Sequence, residues 1–165
     1  MKNKKLFAIL TLVCFMMTLM PVAAFAAATD FSAPASVFAT VDKNAAVQKN
    51  EKVDVQLSMK NVANGLCTTQ PTVYVWAETV ANQPNDAFEA LKADGTAYNG
   101  SKGVYAVPVT QAITEFKATF YRAGEYTLKA SVENPLTASK VSDVVLFNGA
   151  AADYKKVIVN NTAQE

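Results

Sequence analysis

In residues 51–60 every second side chain is apolar. Val53, Val55, Leu57 and Met59 share one face, and Lys52, Asp54, Gln56, Ser58 and Lys60 share the other. Successive side chains of an extended strand point to opposite sides, so this alternation predicts a strand with one dry and one wet face. The pattern recurs in residues 115–121, where Phe116, Ala118 and Phe120 oppose Glu115, Lys117 and Thr119. After the turn at Arg122-Ala123-Gly124 it recurs in residues 125–133, with Tyr126, Leu128, Ala130 and Val132 against Glu125, Thr127, Lys129 and Ser131. Asn134-Pro135 closes that run, because proline cannot donate to a central ladder. Strands with one dry face need a second sheet to cover them.

Less regular strands fill the remainder. Residues 36–41 predict a first strand. Residues 72–80 are rich in β-branched and aromatic side chains and are opened by Pro71. Residues 104–109 contain Pro108, which predicts an edge or bulged strand. Residues 141–147 are almost continuously apolar, and residues 155–159 predict a last strand beyond the Asn148-Gly149 turn signal. Residues 86–92 fit a short helix instead, with Phe88 and Leu91 at i, i+3 and Asn85 or Asp86 as cap. That helix would lie in a long excursion, 82–103, which also holds the turn signals Asp94-Gly95 and Asn99-Gly100. The expectation is an all-β sandwich of about seven to eight strands with one short helix in a long loop.

The N-terminus carries a secretory signature. Lys2, Lys4 and Lys5 precede an uncharged apolar run from Leu6 to Met20, then Pro21 and the small-x-small triplet Ala24-Phe25-Ala26. The run is about 15 residues, short of the ~20 that a spanning helix needs. The reading is a signal peptide over 1–26, cleaved after Ala26 or alternatively after Ala28. A short leader follows over 27–35, then the sandwich over 36–160 and a tail over 161–165. Cys14 follows Val13 in mid-run, which does not suit lipidation. Cleavage removes three lysines, leaving twelve cationic side chains against fourteen acids, a formal charge of −2. That balance gives no footprint for nucleic acid or an anionic membrane surface, and no stable membrane span is expected after cleavage. Cys67 becomes the single cysteine, so no disulfide forms within the chain. It is either a small packed residue or a link between chains.

The segment Arg122-Ala123-Gly124-Glu125-Tyr126-Thr127-Leu128 resembles the G-x-Y-x-apolar signature of bacterial immunoglobulin-like (Big-type) modules of secreted and cell-surface proteins. The resemblance implies an Ig-like Greek-key sandwich. In it Tyr126 would close a corner through its hydroxyl, two residues before the core position Leu128. Leu57 would face Leu128 where antibody domains carry a disulfide, and Trp76 would pack between the sheets. Arg122 departs from the acidic residue often found at its place in antibody domains. The structural core expected on pattern and resemblance together is Leu57, Trp76, Phe116, Phe120, Tyr126 and Leu128.

The chain contains no histidine, which removes the commonest general base and the commonest zinc or copper ligand. No nucleophile elbow, P-loop or dinucleotide fingerprint occurs, so no catalytic, cofactor-binding or metal residue is assigned. Asp86, Glu89 and Asp94 are the candidate acids for a carboxylate pair or a calcium site, against the plainer reading of a solvated loop. Tyr74 and Trp76 share one strand face opposite Val73, Val75 and Ala77, and either face can be the core. If the aromatic face is exposed it forms a stripe suited to sugars or a protein, extended by Tyr98, Tyr105 and Tyr121. Phe88, Tyr98 and Tyr105 are the candidate interaction surface. The reading is a non-catalytic, secreted or cell-surface module that needs no cofactor and acts as a spacer or protein-interaction domain, its partner an unidentified protein or surface glycan. The alternatives are a carbohydrate-binding module and the N-terminal piece of a longer surface protein.

Overall fold

The computed structural model describes residues 34–40, 46–60, 71–139, 141, 145–146 and 156–161. The expected signal peptide, Cys67 and nearly all of the expected leader and tail lie outside the described residues. Twelve strands occur among them: β1 (Pro34–Ala39), β2 (Val47–Gln48), β3 (Lys52–Met59), β4 (Thr72–Val80), β5 (Gln83–Pro84), β6 (Phe88–Leu91), β7 (Asn99–Ser101), β8 (Val104–Pro108), β9 (Ile113–Phe120), β10 (Gly124–Ser131), β11 (Val145–Leu146) and β12 (Val157–Asn160). The count exceeds the expected seven or eight because the 82–103 excursion itself holds β5, β6 and β7, and β2 adds a short strand before β3.

The strands make two sheets. The smaller runs β1-β3-β9-β6; the larger runs β2-β12-β10-β4-β8-β7, with β5 beside β4 and β11 beside β10. All neighbours are antiparallel except β2 and β12. The three clean alternations set the inner faces. Val53, Val55 and Leu57 of β3, Phe116, Ala118 and Phe120 of β9, and Tyr126, Leu128 and Ala130 of β10 are buried in one core between the sheets. Each large aliphatic or aromatic side chain sealed there contributes roughly 1.5–3 kcal/mol of burial.

Two expectations are corrected. Residues 86–92 form no helix; they hold β6, paired with β9 at Phe88↔Phe120 and Leu91↔Lys117. Asn85, expected as a helix cap, instead closes a turn, its Oδ1 accepting from the Ala87 amide at 2.9 Å. A helix of one or two turns is marginal in water, and a four-residue ladder that seals Phe88 and Ala90 in the core outweighs it. Pro108 does not place its strand at an edge, since β8 lies between β4 and β7. The proline is tolerated because β7 pairs only as far as Ala106.

Candidate functional site on the outer face of the larger sheet

Residues Val73, Val75 and Ala77 take the inner face of β4, in the core between the sheets. By period two, Tyr74, Trp76 and Glu78 therefore stand on the outer face. Trp76 is buried at 2 % exposure but lies outside the inter-sheet cluster, which corrects the position that the Ig-like resemblance implies for it. It also removes the indole from the expected exposed stripe. The strands beside it complete the surroundings: Lys129 of β10 and Val104 of β8 pair with Trp76, while Ser131 and Ala106 pair with Tyr74.

Glu78 is the charge at the centre of this face, 4 % exposed. Its carboxylate accepts from the Trp76 indole N–H at 2.7 Å and from the Asn82 amide at 2.8 Å. The Lys129 ammonium stands 2.9 Å away, itself largely buried. A buried carboxylate is tolerated only when paired and hydrogen-bonded, and here one residue collects an ammonium, an indole and a backbone amide. Sequence reading did not anticipate the network. The available signal was Glu78 itself, a charge in an otherwise apolar and aromatic strand.

The sequence-derived acids do not converge. Asp86 pairs with Arg122 at 3.1 Å, Glu89 accepts from the Tyr121 hydroxyl, and Asp94 accepts from the Thr96 hydroxyl and amide at 2.7 and 2.9 Å. The Thr96 hydroxyl above all, then its amide, holds the Asp94 carboxyl below the usual carboxylate range. The Glu89 hydrogen bond is the main cause that pushes Tyr121 up to about 12. Among the described residues no group of three potential metal-ligating side chains stands together.

Leu57, Phe116, Phe120, Tyr126 and Leu128 all lie in the inter-sheet cluster. The Tyr126 ring packs on Phe120 with centroids 4.8 Å apart, and its hydroxyl donates to the Arg122 carbonyl oxygen at 2.8 Å. Burial raises the Tyr126 hydroxyl above the ordinary phenol range. Of the expected interaction surface, Phe88 is fully buried, because β6 turns it inward onto Phe120 and Tyr105. Tyr105 and Tyr98 are half-buried, and Tyr98 sets its ring edge-on to Phe116 with centroids 6.5 Å apart. The three do not form one exposed patch.

No family model and no curated protein matches the chain. Among solved structures the chain is similar to the Lin-41 filamin domain, with a TM-score of 0.35 and 13 % identity over 79 % of this chain and 100 % of that one. It is also similar to a conjugative transposon lipoprotein from Bacteroides eggerthii, with a TM-score of 0.34 and 11 % identity over 69 % of this chain and 96 % of that one. Similarity at this level carries no function from either protein to this chain.

On the same outer face, Tyr74, Val104 and Ala106 border a groove of about 350 Å³ between β7 and the turn at Asn134–Leu136. That turn is fixed by Asn134, whose Oδ1 accepts from the Leu136 amide at 2.9 Å and whose carbonyl accepts from the Ala138 amide at 2.9 Å.

Proposed function

We propose that the chain is a non-catalytic, exported immunoglobulin-like module that works as a rigid spacer or presentation domain outside the cytoplasm. The observation that carries this reading is the strand order. The smaller sheet, β1-β3-β9-β6, follows the A-B-E-D order of immunoglobulin-like sandwiches, and β4, β10 and β12 follow C-F-G in the other sheet. The Tyr126 hydroxyl bond to the Arg122 carbonyl supports the same reading, since such sandwiches close a corner with a tyrosine at this place. Export rests on the Lys2–Lys5 charges, the apolar run and the Ala24-Phe25-Ala26 triplet. The lack of histidine throughout the chain and the separate engagement of Asp86, Glu89 and Asp94 favour presentation over catalysis.

In this mechanism the core fixes the strands, and the loops and the β7–β8 hairpin are held toward a partner. The test is fractionation of the native host, combined with N-terminal mass spectrometry and in-cell crosslinking. The expected result is a chain beginning at Ala27 or Thr29, found outside the cytoplasm and crosslinked to a discrete macromolecular partner. An intact N-terminus on a cytoplasmic protein overturns the reading.

A further inference from the structure

The β7–β8 hairpin is more than a seven-stranded sandwich requires. The chain leaves β6 in the smaller sheet, crosses to the larger one, adds two strands beyond β4, and returns to the smaller sheet as β9. Its turn is tightly specified. Lys102 and Gly103 both have positive φ, at 49° and 75°, the signature of a two-residue hairpin turn. A Cβ on Gly103 would stand 2.2 Å from the Asn85 carbonyl oxygen, so the turn packs directly on the link before β6. This fixed hairpin supplies one wall of the outer-face groove.

The chemistry of the groove is specific. Tyr74, Val104 and Ala106 bring an aromatic ring and aliphatic surface. Asn99 and Ser101 stand on one side, and Asn134 and Leu136 on the other. Tyr74, Asn99, Ser101 and Asn134 bring hydroxyl and carboxamide groups to this lining. Glu78, on the same outer face of β4, is engaged by Trp76 and Lys129. None of the residues lining the groove is charged.

These features select the ligand. An ion entering the groove would lose hydration without meeting a countercharge. A wholly apolar ligand would desolvate four polar groups and return no hydrogen bond. A neutral polyhydroxylated ring satisfies both demands, placing C–H surface against the Tyr74 ring and hydroxyls against the two carboxamides and the serine. The volume lies at the lower end of small-molecule sites, the size of a mono- or disaccharide unit. We infer that this groove is a binding site for a neutral carbohydrate. The inference goes beyond the presentation reading and does not depend on it, since a chain with no protein partner would bind sugar here equally.

The test uses the full chain on an array of neutral glucose, galactose, mannose and N-acetylglucosamine oligosaccharides, with sulfated and uronic-acid glycans and unstructured peptides as comparison arms. Calorimetry on the hits gives the affinities. The expected result is binding of at least one neutral oligosaccharide at about 1 mM or tighter. It should weaken roughly ten-fold in Tyr74→Ala and several-fold in Asn99→Ala and Asn134→Ala. Asn99 is exposed on the outermost strand, so that variant keeps the parent melting temperature and separates loss of binding from loss of fold. The inference is overturned if no neutral sugar binds, if only anionic glycans or peptides bind, or if sugar binding survives all three substitutions.

Discussion

Trp76 donates its indole N–H to the Glu78 carboxylate at 2.7 Å, across two residues of one strand. Positions i and i+2 share a face, so β4 alone brings donor and acceptor together. The neighbouring β10 adds Lys129, and the turn after β4 adds the Asn82 amide. The larger sheet is thus buried on its inner face by apolar side chains and, at the centre of its outer face, by a paired charge.

Removing the carboxylate should therefore cost more than a surface ion pair. Glu78→Ala leaves a largely buried ammonium and an indole N–H without their acceptor, and a loss of about 3–5 kcal/mol is expected. Adding Lys129→Met should recover part of that loss, because the stranded charge is then gone. Trp76 is the sole tryptophan, so its fluorescence reports urea unfolding directly. A Glu78→Ala variant within about 1 kcal/mol of the parent would contradict the network.

The Tyr126 corner is open to a finer measurement. Tyr126→Phe keeps the ring against Phe120 and deletes only the hydroxyl that donates to the Arg122 carbonyl. The expected cost is about 0.5–1.5 kcal/mol, the net contribution of one such bond. Leu128→Ala, two residues on in the same core, should cost about 2–5 kcal/mol. Equal costs in paired chemical denaturations would mean that the hydroxyl acts by more than one hydrogen bond.

Period two made β3, β9 and β10 legible, because a half-buried strand leaves a polar residue at every second place. It failed at residues 86–92, where Phe88 and Leu91 fit a helical spacing over a segment too short for its period to be unambiguous. The ladder with β9 decided the matter, and local sequence does not contain that partner. The facing of β4 was undecidable for a related reason. Both of its faces are buried at the centre, so Val75, Trp76 and Ala77 run on without a polar residue to mark the wet side. The groove was hidden because its walls come from the hairpin and from the Asn134 turn, far apart in sequence. Asn134-Pro135 marked the end of β10 beside one wall, but the Asn99-Gly100 turn signal misled: both residues pair within β7, and the hairpin turns at Lys102-Gly103.

Two glycines with positive φ should respond differently to alanine. At Gly95, with φ 85°, a Cβ would meet only the Lys52 ammonium at 3.0 Å, the movable end of a flexible side chain. Gly95→Ala should cost about 1–2 kcal/mol, the strain of a left-handed alanine. Gly103→Ala carries that term and also drives a Cβ into the Asn85 backbone, so the hairpin must shift. It should lower the melting temperature further than Gly95→Ala does and, by moving one wall, weaken any ligand of the groove. The reverse order of melting temperatures would mean that the hairpin does not rest on the link before β6.

The Tyr121–Glu89 hydrogen bond predicts an alkaline signature. Tyr121 has an ordinary value of 10.0 and is raised to about 12, chiefly because Glu89 accepts from its hydroxyl. A raised folded pKa favours the protonated form. The contact therefore contributes its full stabilisation below pH 10 and loses it as pH rises through about 12. Tyrosinate absorbance followed against pH should include a phenol step near 12 from Tyr121, beside Tyr98, Tyr105 and Tyr126, which burial also raises above the ordinary phenol range. Glu89→Gln removes the carboxylate charge and should bring that step down toward pH 10. Tyr121→Phe should remove the step near 12 and leave the other raised phenols in place. Circular dichroism on the same samples shows whether the fold persists across the range. Superimposable titrations of parent and Glu89→Gln, with the fold intact, would show that the pair is not formed in solution.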